Sequence, residues 1–150
     1  SNGYADNTFG IRQDISRGES LAFVYRVIDP SGRVPSTTPF RDVKKGDTFF
    51  APIAWAAAEK IATGYQNGTF GTDREVTRGE FASMLFRATE AKTTASRSFP
   101  DVTSSNPHRS AIAWLAASGL STGYADGKFH PEWEITRGEV ANILHRYETT

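Results

Sequence analysis

The sequence contains no cysteine, which excludes disulfides, thiolate nucleophiles and cysteine-ligated zinc. It has no apolar run of about eighteen residues or more, so no segment reads as a membrane-spanning helix. No basic-then-apolar leader opens the chain, so a signal for export is expected upstream of it. An excess of one charge is missing too, because 17 Lys and Arg face 17 Asp and Glu. Bulk attraction to nucleic acid or to an anionic membrane is therefore not expected, and any anion binding must come from local placement of charge. Only three histidines occur, and His108, His130 and His145 share no metal-ligand spacing on one helix face. Phosphate loops, dinucleotide fingerprints and nucleophile elbows are absent. Asp6, Asn67 and Asp126 lie in turns, but without the alternating oxygen ligands and final glutamate of a calcium loop. The expectation is a protein that is not an enzyme and uses no metal or cofactor.

What the sequence does have is an internal repeat, the feature that decides architecture. Ile15-Ser16-Arg17-Gly18-Glu19 returns as Val76-Thr77-Arg78-Gly79-Glu80 and as Ile135-Thr136-Arg137-Gly138-Glu139. Upstream of each copy lies a second string: Gly3 to Phe9, Gly64 to Phe70 and Gly123 to Phe129. A third string appears twice, as Phe40-Arg41-Asp42-Val43 and Phe99-Pro100-Asp101-Val102. Residues 40–90 pair with 99–149 without a gap and share 21 identities in 51 positions. The chain thus divides into the second half of a first unit (1–30) and two whole units (40–91 and 99–150). Residues 29–39 and 91–98, rich in Pro, Gly, Ser, Thr and Ala, read as linkers.

Each whole unit reads as helix, hairpin-like loop, helix. The first helix is expected near Pro52 or Pro107, because proline is tolerated in a first turn; Asn106 is a plausible cap. Ile53, Ala57 and Ile61 recur every four residues, as do Ile112, Ala116 and Leu120. Gly64 and Gly123 are expected to close these segments. Asn67-Gly68 and Asp126-Gly127 are tight-turn pairs, with Phe70 and Phe129 folding back as anchors. The second helix opens on Ser16, Thr77 or Thr136, with a glutamate three residues later, which is the capping-box signature. Five helices are predicted. Two-helix units cannot bury their apolar faces alone, so an all-α, pseudo-threefold bundle of packed repeats should form, with its first unit incomplete.

Arg17, Arg78 and Arg137 stand out because each follows the cap directly. A helix N-terminus carries about half a positive charge, so a cation there is disfavoured by about 0.3–1 kcal/mol. Three at equivalent positions imply that something offsets this. One reading is an anion socket of arginine, glycine (Gly18, Gly79, Gly138) and unpaired backbone N–H groups. The other is an internal ion pair with a carboxylate such as Asp42 or Asp101. Arg26, Arg87 and Arg146 lie nine positions further on, about half a turn away and at the helix C-terminus. They cannot share a socket with the first arginine of their own helix, and they read as structural.

The ordered set Phe-x-Asp-Val, Gly-Tyr-x-Asp-Gly-x-Phe and Ile-Thr-Arg-Gly-Glu resembles the S-layer-homology repeat, whose Thr-Arg-Ala-Glu motif here reads Thr-Arg-Gly-Glu. The resemblance covers nearly the whole chain. It implies a pseudo-trimer around a central helix bundle at the surface of a bacterium. It also implies non-covalent anchoring of an exported protein to an anionic secondary cell-wall polymer, often pyruvylated, bound in grooves between repeats. By that resemblance Arg17, Arg78 and Arg137 would hold the acidic group. Asp42 and Asp101 would shape the groove floor, with Gly64, Gly79, Gly123 and Gly138 near it. The tryptophan that many members carry before the first helix is absent. Trp55 and Trp114 lie inside the helix instead, as core or groove wall. The incomplete first unit leaves a homo-oligomer open as a partner arrangement. A protein-interaction or self-assembly module at the cell surface is the alternative function.

Overall fold

In the computed structural model, residues 13–28, 34–92 and 98–149 are described. Five helices form among them: α1 (Arg17–Ile28), α2 (Phe50–Ala58), α3 (Arg78–Ala88), α4 (Arg109–Ala117) and α5 (Arg137–Glu148). No strand does, and the five-helix, all-α expectation holds. The loop at residues 3–9, together with residues 29–33 and 93–97 of the expected linkers, falls outside the described residues.

The capping boxes form as the sequence dictates. Thr77 and Thr136 accept from the backbone N–H of Glu80 and Glu139, whose side chains accept from the cap N–H in return. Ser16 and Glu19 make the same reciprocal pair ahead of α1. Each cap satisfies two otherwise unpaired donors, a contribution of about 1 kcal/mol.

The other two helices differ from expectation at their boundaries. α2 starts two residues before Pro52, which then sits in the first turn, where its missing N–H is not needed. α4 starts two residues after Pro107, and Asn106 accepts from His108 N at 2.8 Å in the turn leading into it. Both helices also stop before Gly64 and Gly123. Lys60 (φ 59°) and Gly119 (φ 73°) take the left-handed conformation, and Ile61 and Leu120 donate back to Ala56 O (2.8 Å) and Leu115 O (3.0 Å). That pattern caps the last carbonyls and throws an apolar residue back onto the helix.

α1 packs against both α3 and α5, while α2 lies on α1 and α4 on α3. The first helix of each whole unit therefore covers the second helix of the unit before it. Just ahead of α1, α3 and α5, three short segments close a ring of antiparallel bridges: Ser16 with Glu75, Thr77 with Glu134, and Asp14 with Thr136. This ring marks the pseudo-threefold axis. Ile15, Val76 and Ile135, the central residues of the three segments, are buried beneath it.

The core is continuous across the units. Leu21, Ile53, Phe70, Phe81, Leu85, Ile112, Leu115 and Phe129 are fully buried within one cluster. Burial of each such side chain stabilises by about 1.5–3 kcal/mol. Ala54, Ala56, Ala113 and Ala116 are buried too, and their small size lets helices approach closely. Trp55 and Trp114 pack edge-on or tilted against Tyr25 and Phe86, at 5.3 and 5.6 Å between ring centroids; Trp55 is buried in the core and Trp114 lies half-buried against it.

Candidate functional site: two clefts between repeats

The motif arginines are buried, at 6%, 4% and 6% exposure for Arg17, Arg78 and Arg137. Their partners explain how helix N-termini tolerate them. Arg78 forms an ion pair with Glu139, Arg137 pairs with Glu19, and Arg17 lies 4.0 Å from Glu80. Each motif arginine thus meets the motif glutamate of another unit, and the three pairs close a cycle. One carboxylate oxygen of each glutamate closes its own capping box while the other faces the foreign arginine. The internal ion pair foreseen as one alternative exists, with glutamate in place of aspartate.

The guanidinium groups are also gripped by the hairpin-like loops. Arg17 Nε donates to Phe70 O at 3.0 Å and Arg78 Nε donates to Phe129 O at 2.9 Å. Their Cζ atoms stand 4.4 Å from the Phe70 and Phe129 ring centroids. Asp42 and Asp101 act one step behind. Asp42 accepts from Phe70 N and Gly71 N, and Asp101 accepts from Phe129 N and His130 N, at 2.7 to 3.0 Å. Partial burial opposes the charge on both carboxyls, but these backbone donors outweigh it and hold them below the ordinary aspartate value. Both aspartates therefore fix the loop that fixes the arginine.

Two equivalent clefts open beside these arginines. One, about 190 Å³, is bounded by Arg17, Thr63, Glu80, Met84, Arg87 and His108. The other, about 180 Å³, is bounded by Arg78, Thr122, Gly123, Tyr124, Glu139 and Arg146. Each lies between consecutive units and carries two arginines, from different helices, against one glutamate. Arg87 and Arg146 are exposed and reach back to donate to Ile61 O and Leu120 O, both at 3.2 Å. They do not share a cleft with the motif arginine of their own helix, as the half-turn spacing requires. They share one with the motif arginine of the preceding unit, a relation that spacing along one helix does not reveal.

Of the other expected site residues, Gly123 borders the Arg78 cleft at φ +86°, with Phe99 packed close against it. Gly64 lies against Phe40 and Thr69 O. A Cβ on Gly79 would meet the His108 ring at 2.8 Å and Pro131 O at 3.2 Å. A Cβ on Gly18 would meet Thr72 at 2.6 Å and the Phe49 ring at 2.8 Å. Glycine after the motif arginine therefore serves the close approach of a neighbouring side chain and loop. Gly138, at the equivalent place in α5, is half-buried.

Tyr124 ties the second cleft together. Its hydroxyl donates to Glu139 at 2.7 Å, and its ring lies 4.6 Å from Arg78 Cζ. Burial and that bond to a carboxylate push its hydroxyl pKa up to about 12. In the first cleft His108 Nδ1 lies 2.7 Å from Ser83 Oγ. Burial holds the imidazole below its ordinary pKa, Glu80 pulls it up and Arg87 pushes it down again.

A bundle of two-helix units closed by reciprocal arginine–glutamate pairs defines a helical repeat module. The sequence matches the S-layer homology domain over residues 39–82 and 98–141, more than half of the chain. The chain belongs to the S-layer homology family, which places it at the bacterial cell surface as a wall-anchoring module. Over 96% of its length it is 34% identical to Cell surface glycoprotein 1 of Acetivibrio thermocellus and 26% identical to the Cellulosome-anchoring protein of that organism. Over 72% of its length it is 32% identical to an Endoglucanase of a Bacillus species. It spans 7%, 34% and 11% of these relatives' own lengths.

Proposed function

We propose that the chain anchors an exported protein to the bacterial wall by holding an anionic secondary cell-wall polymer in the clefts between its repeats. The observation that carries this reading is the pair of equivalent clefts, each with two arginines against one glutamate. In a chain of zero net charge, each cleft concentrates a local positive excess of one. In this reading Arg17 and Arg78 form the fixed charged back of each cleft, with their own glutamate already in place. Arg87 and Arg146 are the exposed cations that a carboxylate or phosphate reaches first. Arg137, with Gly138 beside it, holds the equivalent place where the third unit meets the first. The same reading divides the chain into units at 1–30, 40–91 and 99–150. A pyruvyl carboxylate on a sugar is one acidic group of suitable size. The cellulosome-anchoring relative supports attachment as the role.

The test is co-sedimentation with purified sacculi, before and after acid removal of the secondary polymer. Binding should disappear with the polymer, weaken as salt rises and fall in Arg87→Ala and Arg146→Ala. Undiminished retention on stripped sacculi would instead favour a protein partner or self-assembly.

A further inference from the structure

Beside the Arg78 cleft the third unit carries a cluster of three aromatic rings, two of which its twin lacks. Trp133 is 52% exposed, more than any other large apolar residue among those described. The His130 ring stacks on it at 3.6 Å between centroids and 11° between planes. Tyr124 closes the group, 5.2 Å from both rings. In the second unit the equivalent residues are Arg74, Gly71 and Tyr65, and Arg74 Cζ lies 4.5 Å from the Tyr65 ring.

The backbone and its contacts hold this cluster in place. His130 has φ +58°, in the left-handed region that disfavours any residue with a Cβ, and its twin Gly71 has φ +74°. A glycine would sit at position 130 without strain. The histidine that replaces it is strained, and strain of this kind persists only where the surroundings enforce it. Those surroundings are visible. His130 Nε2 lies 2.7 Å from Asp126 Oδ2, and the side chain is only 15% exposed. With His130 against one face, the exposure of Trp133 falls on the opposite face and the edges. The indole is held flat with an apolar surface presented to water.

This surface continues the cleft. Tyr124 both borders the cleft and touches Trp133, while Trp133 O accepts from Arg78 N at 2.8 Å. A pyranose chair has a face of axial C–H groups that packs on an aromatic face while its hydroxyls stay hydrated. An ordered exposed aromatic beside a polar cleft is suited to such a ring. We infer that Trp133, propped by His130 and flanked by Tyr124, is a stacking platform for the sugar residue next to the acidic one held in the Arg78 cleft. This deepens the wall-polymer reading and rests on it.

The test uses the full chain and, as probe, secondary polymer released by acid from purified sacculi. Affinity is measured by calorimetry, and acrylamide quenching follows tryptophan exposure. Trp55 is buried and Trp114 half-buried, so Trp133 dominates the quenchable signal. Polymer should protect the indole from acrylamide. Trp133→Ala should weaken binding about tenfold, the scale of one stacking contact, and Trp133→Phe should weaken it less. His130→Gly copies the second unit and relieves the backbone, so it should fold at least as well yet bind several-fold more weakly. Loss of affinity in Arg146→Ala with none in Trp133→Ala or His130→Gly would overturn the platform and leave the anion site standing. A wild-type chain that ignores the polymer would overturn both. If sacculi stripped of polymer still bind and Trp133→Ala abolishes that binding, the platform meets a protein, and the sugar assignment fails.

Discussion

The two clefts are built from equivalent residues and yet differ in how firmly their charges are tied. In the Arg78 cleft Glu139 meets the guanidinium directly and also accepts from Tyr124. In the Arg17 cleft Glu80 lies 4.0 Å from the guanidinium, and Arg17 donates instead to Thr63 O at 2.7 Å. Arg74 lies on the Tyr65 ring in the second unit, whereas an aromatic cluster surrounds Tyr124 at the second cleft. The Thr-Arg-Gly-Glu string therefore sets the frame, and the positions between motifs set the character of each cleft. Under the proposed function, two sites on one frame with different rims would hold one polymer at different points, and attachment would gain from multivalency.

Arg78→Ala should have the largest effect. It leaves Glu139 without its cation and Phe129 O without its donor. Breaking a fully buried pair costs about 3–5 kcal/mol. Glu139 keeps 26% of its side chain exposed, so solvent screening reduces the expectation to about 2–3 kcal/mol. Arg17→Ala should lose less through its glutamate. Urea unfolding of the two double-mutant cycles, Arg78 with Glu139 and Arg17 with Glu80, measures this directly. Equal coupling energies would erase the electrostatic distinction between the clefts.

Next come the exposed cations. Arg87→Ala and Arg146→Ala should each change stability by under about 0.5 kcal/mol, because only one bond to a carbonyl is lost at the surface. Affinity for acid-released wall polymer should fall about tenfold in each, with the salt dependence reduced. A much larger loss in one variant would show that a single cleft dominates.

The repeated frame was legible in the sequence because its signals are local. A capping box spans four residues, and a tight turn spans two. Asn67 and Asp126 close the turns through their side chains, at 3.1 and 2.9 Å to Thr69 N and Lys128 N, while Gly68 and Gly127 supply the positive φ. The arginine–glutamate cycle was less legible because each glutamate already had a local role that hid its second one. Spacing along one helix sets Arg87 and Arg146 half a turn from their own motif arginine and does not show that each faces the arginine of the preceding unit. Asp42 accepts from Phe70 N and Gly71 N and so fixes the loop that holds Arg17, a link between separate motifs that spacing does not show. Trp133 had one signal available, which was departure from its twin. At a constant offset of 59 residues, His130 stands for Gly71 and Trp133 for Arg74. Unit-to-unit differences thus marked the rim that the motifs could not.

A control for the comparison lies outside both clefts, at the pseudo-threefold axis. Asp14, Glu75 and Glu134 bring carboxylate oxygens within 4.8 Å of one another. Hydrogen bonds shared with Glu75 and Asp14 raise the Glu134 pKa to about 7 from an ordinary 4.5. The folded chain then holds a proton between about pH 4.5 and 7 that the unfolded chain has released, so stability should rise as pH falls through that window. Asp42 and Asp101 act oppositely, with pKa values below 3.8, so their contribution is lost only in stronger acid. Thermal melts should show a higher Tm near pH 5 than at pH 8. Glu134→Gln should flatten that slope and leave polymer affinity in both clefts unchanged.

The smallest effect separates the clefts by pH. His108 borders the Arg17 cleft, and its pKa lies below the ordinary 6.5 because burial disfavours the imidazolium. Near neutrality the ring is uncharged, and the cleft has the two arginines alone. As pH falls through that lowered pKa a third cation appears there. A bound carboxylate or phosphate would favour that charge, so binding should take up a proton and strengthen in mild acid. His108→Gln should remove this increment and leave affinity at pH 8 unchanged. The Arg78 cleft is bounded by Tyr124 and Asn142, with no histidine in its lining. Arg87→Ala, which weakens the first cleft, should therefore leave a chain whose polymer binding loses the His108-dependent rise. Arg146→Ala should leave one whose binding still rises with acidity. Identical pH profiles for the two variants would show that the clefts do not titrate independently.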